Sequence, residues 1–190
     1  MGNEVKAPND KKLVKRIGDQ IGSDLSMIID RDLSIDSIEV ERITGRVAAD
    51  GGIHISFRLE FQVEGEAYQG CLLVPLPDAV SVACYLMVMP DEGVKAHRAR
   101  NTLDRSTKDA MLEVGNFVGG STDAILRKWK QDAQLSCRSI GCQGVASDAI
   151  PNFTYEIGSE LILARIEATL GDFSQFTMLL QIPALLSEQS

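Results

Sequence analysis

The feature that most constrains the fold of this chain is an internal repeat. Residues 13 to 29 lie over residues 110 to 126 when the sequence is shifted by 97 positions. The matching positions are two glycine pairs and three apolar pairs, namely Gly18 with Gly115, Gly22 with Gly119, Ile17 with Val114, Ile21 with Val118 and Ile28 with Ile125. Such a repeat predicts two related units that bury a shared core.

The hydrophobic spacing predicts the same order of elements in each half. Apolar residues at helical spacing predict helices over residues 10 to 30 and 103 to 129, with a short buried helix over 78 to 90. Alternating apolar residues predict six strands, over residues 37–48, 53–65, 68–77, 136–147, 154–169 and 173–185. Asp50, Gly51 and Gly52 are typical of a hairpin turn, and residues 91 to 101 are predicted to form a polar connector.

These elements predict an α+β domain. Two duplicated αβββ halves would form a six-stranded antiparallel sheet with helices packed on it. We expect residues 1 to 9 to be a flexible tail and residues 10 to 190 to form a single domain. Within it, the halves are predicted to span residues 10 to 77 and 103 to 187, joined by residues 78 to 102.

The charge of the chain disfavours two classes of partner. Its 190 residues include 27 acidic and 19 basic side chains, for a net charge of −8. Nucleic acid and anionic membrane are therefore not expected as partners, since both require clustered positive charge. No apolar run approaches the roughly 18 residues that span a bilayer, and residues 1 to 12 do not resemble a secretory signal. We predict a cytoplasmic protein.

The cysteines and histidines do not form a metal-binding pattern. None of the four cysteines belongs to a C-x-x-C motif, and His54 and His97 are isolated. We therefore predict no metal site and reduced cysteines that act as small apolar residues. Cys137 and Cys142 lie five positions apart in a predicted strand, so we expect them on opposite faces of the sheet.

The helix predicted over residues 103 to 129 contains the segment DAMLEVGNFVGG, residues 109 to 120. Asp109, Glu113 and Asn116 fall within about 60° of one another on its surface. Gly115 and Gly119 each cost a helix about 1 kcal/mol relative to alanine. Glycine at these positions predicts the close approach of another backbone, from this protein or from a partner.

The segment has two other interpretations. The acidic residues could belong to a solvated helix face, but such a face would favour alanine, glutamate or lysine over Gly-Asn-x-x-Gly-Gly. The run GNFVGGS also looks like a phosphate-binding loop. That motif needs a lysine before its serine or threonine, and Gly120 stands there before Ser121.

The segment resembles the signature helix of the CheC/CheX/FliY phosphatases of bacterial chemotaxis, in which an Asp or Ser is followed by a Glu and an Asn at this spacing. The predicted αβββ duplication is similar to the fold of that family, so the resemblance covers nearly the whole chain. One position departs from the family. A proline is frequent about 22 residues after the Asn, and this chain has Arg138 there.

The resemblance implies dephosphorylation of the phospho-aspartate of a CheY-like response regulator. Asn116 would hold the attacking water, and Glu113 would pair with a lysine of the regulator. Asp109, Gly119 and Gly120 would contact the partner. The protein would need no cofactor of its own, because the regulator would supply Mg²⁺. The resemblance leaves open whether the protein is a monomer or a homodimer.

The repeat implies that the first half lacks this chemistry. Asp109, Glu113 and Asn116 correspond to Lys12, Arg16 and Asp19. A cation in place of Glu113 would repel the regulator's lysine, and an ionised aspartate in place of Asn116 can only accept hydrogen bonds. We therefore expect one active site.

Two non-enzymatic functions remain as alternatives. Relatives with this fold serve as structural parts of the flagellar switch, and such a module could bind a regulator without hydrolysing anything. An unrelated α+β binding domain is the other alternative, because a fold does not fix a function. The presence of both Glu113 and Asn116 favours the enzyme.

Overall fold

A computed structural model describes residues 6–100, 102–130 and 134–188, and its elements confirm the predicted α+β class. The first half contains α1 (Lys6–Ile29), β1 (Leu33–Ile43), β2 (His54–Val63) and β3 (Glu66–Pro75). Two helices follow, α2 (Leu76–Leu86) and α3 (Asp91–Arg98). The second half contains α4 (Arg105–Trp129), β4 (Leu135–Val145), β5 (Leu161–Leu170), β6 (Phe176–Pro183) and a short 3₁₀ turn (Ala184–Leu186). No helix within these described ranges is long and apolar enough to cross a membrane.

The six strands form one antiparallel sheet, as predicted, in the order β1-β5-β6-β3-β2-β4. The counterparts in the two halves are β1 and β4, β2 and β5, and β3 and β6. When each strand is replaced by its counterpart, the order is the same sequence read from the other edge of the sheet. The first strand of each half pairs with the second strand of the other half. Because β1 and β2 lie far apart in the sheet, the prediction of a hairpin at Asp50, Gly51 and Gly52 is wrong. Residues 44 to 53 cross the sheet instead, as do residues 146 to 160.

The main core lies between the sheet and a layer of three helices. The helix α1 packs on β1, α4 packs on β4, and both helices contact each other and α2. A second cluster on the opposite face of the sheet is covered by the two crossing connections. It consists of Ala49, Cys71, Leu73, Val145, Phe153, Leu161, Leu163 and Leu179.

One hydrogen bond joins two residues that correspond to each other in the repeat. The Ser121 hydroxyl donates to the Asp24 carboxylate over 2.6 Å, and the two residues are 97 positions apart. Equivalent residues that touch must lie close to the axis relating their two units. The α1–α4 contact is therefore the place where a pseudo-twofold axis would pass.

The structure corrects three further boundaries. α1 begins at Lys6, so the predicted flexible tail is helical over residues 6 to 9, while residues 1 to 5 lie outside the described residues. A buried ion pair between Asp10 and Arg42 of β1 fixes this first part of the helix. The predicted connector contains α3, and the strand predicted over 154 to 169 begins only at Leu161.

A bulge in β4 overturns the prediction for two cysteines. Phe57 of β2 pairs with Cys142, whereas the next core-facing residue, Leu59, pairs with Ser139, three positions earlier. The extra residue reverses the alternation of β4 at this point. Cys137 and Cys142 therefore both face the main core instead of pointing to opposite faces. All four cysteines are unpaired, and three are buried.

Candidate functional site

The helix α4 is capped and oriented by side chains at both ends. The Asp104 carboxylate accepts a hydrogen bond of 2.8 Å from the main-chain nitrogen of Thr107 and so caps the first turn. The hydrogen bonds from Thr107 also lower the pKa of Asp104. Arg127 and Lys128 occupy the last turn, where positive charge suits the helix dipole. The helix is thus a stable platform for the residues on its exposed face.

Two of the three glycines of α4, Gly115 and Gly119, face the sheet, which settles what approaches them. A Cβ atom on Gly119 would lie 2.6 Å from the main-chain nitrogen of Ser139, and one on Gly115 would lie 3.1 Å from the Ser139 Oγ and 3.3 Å from Phe57. The backbone that approaches is therefore β4 of this protein. Gly119 is buried, so the prediction that it contacts a partner is wrong. Arg138, at the position where the family often has proline, precedes Ser139 and bonds Glu60 of β2.

The acid and amide side chains that the sequence singled out share one exposed face. The Asn116 Nδ2 lies 3.4 Å from the Glu113 Oε2, so the amide donates to the carboxylate. Asp109 lies one turn earlier, with its carboxylate 3.9 Å from Arg105. We call the exposed residues Asp109, Glu113 and Asn116 the acid–amide stripe. Gly120 continues the stripe by one turn, and no atom lies within 4 Å of where its Cβ would be.

Two apolar side chains flank the stripe, and neither was predicted as part of the site. Leu112 is 44% exposed on one side, and Phe117 is 37% exposed on the other. On a helical wheel both residues fall outside the arc of Met111, Val114 and Val118, so the signal was present in the sequence. Exposed leucine and phenylalanine beside a polar stripe are typical of a surface that contacts another protein.

The shape of the site limits its chemistry. Its residues stand on a convex helix face, where they cannot enclose a small substrate by themselves. The Asn116 amide can both donate and accept hydrogen bonds, and the Glu113 carboxylate can accept them. Within the described ranges, no group of three or more His, Cys, Asp or Glu side chains is placed to hold a metal ion. The arrangement can position a water molecule or a partner's cation against a reactive group that the partner brings.

A cavity of about 460 Å³ lies elsewhere, between the start of β2 and the start of α2. His54 and Asp78 line it, but both are held by neighbours within the protein. The His54 Nδ1 lies 3.0 Å from the Gly52 carbonyl oxygen, and the Asp78 carboxylate accepts a hydrogen bond of 2.7 Å from Arg98. Burial raises the pKa of Asp78 despite this arginine. The cavity does not include the acid–amide stripe.

The corresponding face of α1 has a different chemistry. Lys12, Arg16 and Asp19 are exposed there, as the repeat predicts. Asp19 pairs with Lys15 over 2.6 Å. The Lys12 ammonium lies 6.0 Å and the Arg16 guanidinium 5.5 Å from the ring centre of Trp129, at the end of α4. The face of α1 therefore presents ordered cations and lacks the amide.

Comparison with solved structures identifies the fold. No protein-family model and no curated sequence matches this chain. FliY of Thermotoga maritima is 18% identical, with a TM-score of 0.68 over 95% of this chain and 92% of its own. The FliM middle domain of H. pylori is 10% identical, with a TM-score of 0.67 over 96% and 94%. The chemotaxis protein CheX of Desulfovibrio desulfuricans is 13% identical, with a TM-score of 0.58 over 90% and 99%. The predicted resemblance is thereby confirmed, and the chain has the fold shared by CheC-like proteins, CheX, FliY and the FliM middle domain.

Proposed function

We propose that the protein removes phosphate from the phospho-aspartate of a CheY-like response regulator, in chemotaxis or another two-component pathway. The observation that carries this proposal is the exposed pair of Glu113 and Asn116, 3.4 Å apart on α4 of this fold. A surface pair suits a reaction in which the scissile bond, the metal and the leaving group all belong to the partner. The proposal places the protein in the cytoplasm, where such regulators act.

Asn116 is the proposed water-positioning residue. Phosphoryl transfer requires little covalent chemistry from a catalyst, so holding a water molecule in line with the phosphorus supplies much of the acceleration. The amide suits this role because it can donate to the water and accept from it at once. Its contact with Glu113 restricts its rotation before the partner arrives.

Glu113 is proposed to pair with a lysine of the regulator and so to orient the docked partner. Mg²⁺ is proposed to arrive with the regulator. Magnesium prefers octahedral oxygen coordination, and the two carboxylates of the stripe stand a full turn apart on a convex face. No step of the reaction needs a metal bound by this protein alone.

The test is phosphate release from a panel of CheY-like regulators loaded with acetyl phosphate, with and without the protein. We expect catalytic amounts of wild-type protein to accelerate release from at least one regulator. The double variant Glu113→Ala with Asn116→Ala should return the rate to that of the regulator alone. A matched control removes two exposed acids from the sheet, Glu39→Ala with Glu41→Ala, and should keep full activity. Activity that survives the first double variant would refute the assignment.

A second candidate function is a non-catalytic binding module of the flagellar switch. The observation that favours it is the similarity to FliM, which has been solved in complexes with FliG and with SpeE, both from H. pylori. The FliM in the FliG complex has a TM-score of 0.68 with this chain, equal to that of FliY. Under this alternative, phosphorylated regulator would bind but would lose phosphate at its own unassisted rate.

A further inference from the structure

The structure brings together cations that are separate in the sequence. Four lie near the start of α1, and two lie at the end of α4. Because α1 and α4 run antiparallel, these two segments meet around Trp129. We call the resulting surface the basic patch, formed by Lys11, Lys12, Lys15, Arg16, Arg127 and Lys128.

Among the residues that the structure describes, little negative charge neutralises these cations. The exposed Asp19 and the half-buried Asp123 already pair with Lys15 and Arg127. No carboxylate within the described residues pairs with the other four cations. The basic patch therefore contrasts with the net charge of the chain, which is −8. An acidic molecule would be attracted to this surface, which favours an approach with the basic patch facing it.

Trp129 gives the basic patch an ordered centre. The charged groups of Lys12 and Arg16 lie over its ring, at distances typical of cation–π contacts. Side chains held in this way lose less conformational entropy when they bind a partner than freely rotating lysines do. The charges are therefore partly ordered before any partner arrives.

The basic patch continues the surface that contains the acid–amide stripe. Arg127 follows Asn116 by eleven residues, which is three helical turns and about 20°. It therefore projects from the same side of α4, about 17 Å along the helix axis. A compact partner of about 100 residues has a radius of gyration near 13 Å, so its surface lies roughly 17 Å from its centre. A regulator centred on Asn116 would thus extend over Gly120 and reach the basic patch.

We propose that the basic patch is a second docking contact for the regulator, which binds acidic side chains on its surface about 17 Å from the phosphorylated aspartate. This inference rests on the proposed function for the identity of the partner. An acidic protein surface is favoured over a membrane because Leu112 and Phe117, the apolar contacts on the same helix, lie beside the stripe. They do not lie among the cations, where membrane insertion would need them.

The first experiment measures steady-state dephosphorylation as regulator concentration is varied. The charge-reversal variant Lys12→Glu with Arg16→Glu should raise KM about tenfold and leave kcat unchanged. Raising the salt concentration should increase KM for the wild type and have much less effect on this variant. The variant Lys11→Glu with Lys128→Glu, which disturbs no ring contact, should raise KM in the same direction. Melting curves will show that both variants fold.

The matched control makes the same change in net charge outside the basic patch. Lys95→Glu with Arg100→Glu reverses two exposed cations, one in α3 and one two residues beyond its end. This control should keep KM within about twofold of the wild type. An unchanged KM in both patch variants, or an equal rise in the control, would overturn the proposal.

The second experiment separates this proposal from the proposed function. Binding of a fluorescent hexa-aspartate peptide is measured by anisotropy, with no regulator present. We expect the wild type and the control to bind at low salt, and both patch variants to bind at least tenfold more weakly. If this holds while no regulator is dephosphorylated, the enzymatic proposal fails and the acidic-partner surface stands. If the patch variants lose binding to vesicles of anionic lipid but not to the peptide, the surface is a membrane contact and the inference is wrong.

Discussion

The helices α1 and α4 occupy corresponding places in the two halves, and they agree on one face only. Towards the core, both keep the glycine pair and the apolar residues that the repeat aligns. Towards solvent, Lys12, Arg16 and Asp19 of α1 stand where α4 has the acid–amide stripe. The buried face is restricted by packing against the sheet, whereas the exposed face is free to change. A shared fold therefore does not imply a shared activity, even within one chain.

The packed faces themselves differ in how tightly they fit. A Cβ on Gly119 would lie 2.6 Å from a main-chain nitrogen, whereas one on its counterpart Gly22 would lie 3.0 Å from the Leu33 carbonyl oxygen. A Cβ on Gly18 would meet side chains and no main-chain atom, and the nearest is the end of Ile38, at 3.4 Å. The helix α4 therefore lies closer to its strand than α1 does.

The sharpest test of the comparison exchanges one residue between the two exposed faces. Asn116→Asp gives α4 the residue that α1 has, and Asp19→Asn makes the reverse change. An aspartate at 116 can only accept hydrogen bonds and repels the phosphoryl oxygens. We expect it to lower kcat by a hundredfold to a thousandfold, about 3 to 4 kcal/mol of transition-state stabilisation. Asp19→Asn should leave kcat unchanged, and phosphate release measures both.

The next test concerns how the two helices begin. α1 is fixed by Asp10, which is almost fully buried and pairs with Arg42 at 2.7 Å. Arg42→Met leaves that carboxylate buried without its charged partner, with only the Ser187 hydroxyl, among the described residues, donating to it. We expect a loss of about 3 kcal/mol in the free energy of unfolding, measured by urea denaturation. The exposed pair of Lys15 and Asp19 is the control, and Lys15→Met should cost less than about 1 kcal/mol. Equal losses would show that burial does not distinguish the two pairs.

A smaller effect tests the closeness of α4 to the sheet. Gly119→Ala places a methyl group against the main chain of Ser139, which must shift. We expect the free energy of unfolding to fall by about 2 kcal/mol. The neighbouring change Gly120→Ala enters open space and should stabilise the helix by up to about 1 kcal/mol. Urea denaturation of the two variants should give shifts of opposite sign, and a neutral Gly119→Ala would contradict the packing described above.

The smallest effect concerns the cap of α4 in acid. Because hydrogen bonds lower the pKa of Asp104, its cap stabilises the folded protein above the ordinary aspartate pKa of about 3.9. That stabilisation is lost as the pH falls through the lowered value. Asp104→Asn keeps the capping oxygen but does not titrate. Its melting temperature should therefore fall less between pH 7 and pH 3 than that of the wild type, and parallel curves would contradict this.

Much of the fold could be predicted from the sequence because it depends on local patterns. The helical spacing in α1 and α4 and the alternation in β2 are properties of neighbouring residues. The pairing of β1 with β5 does not depend on neighbouring residues, because no local signal shows which distant strand β1 pairs with. The segment Asp50–Gly51–Gly52 is typical of a turn, but a turn reverses the chain without choosing a partner for it. The hairpin prediction failed at that step.

The helix α3 was not predicted from the sequence, because contacts with residues outside the helix stabilise it. Only Val94 is buried within it, so its sequence lacks an apolar face. Arg98 bonds Asp78 and Ser81 of α2, and its guanidinium lies 4.5 Å from the ring centre of Phe173. These contacts come from residues far away in the sequence, and polar patterning alone could not show them.

The candidate site could be predicted only in part, because a helical wheel describes one helix and not the elements that pack against it. A helical wheel places Glu113 and Asn116 together, and the structure has them in contact. The same wheel cannot say which neighbour the glycines approach. Gly119 was assigned to a partner, although the bulged strand β4 of this chain lies against it. To distinguish approach by a partner from approach by β4, the position of β4 relative to α4 must be known.

The first strand of each half pairs with a strand of the other half, and this pairing has a consequence for synthesis on the ribosome. β1 leaves the exit tunnel more than a hundred residues before β5, the strand that it pairs with. Until then it must wait as an unpaired strand, which is a hazard for association between nascent chains. Its exposed charges, among them Asp36, Glu39 and Glu41, would discourage such pairing while it waits. Neither half can complete its own sheet, so the chain reaches its native state only after the second half has been translated.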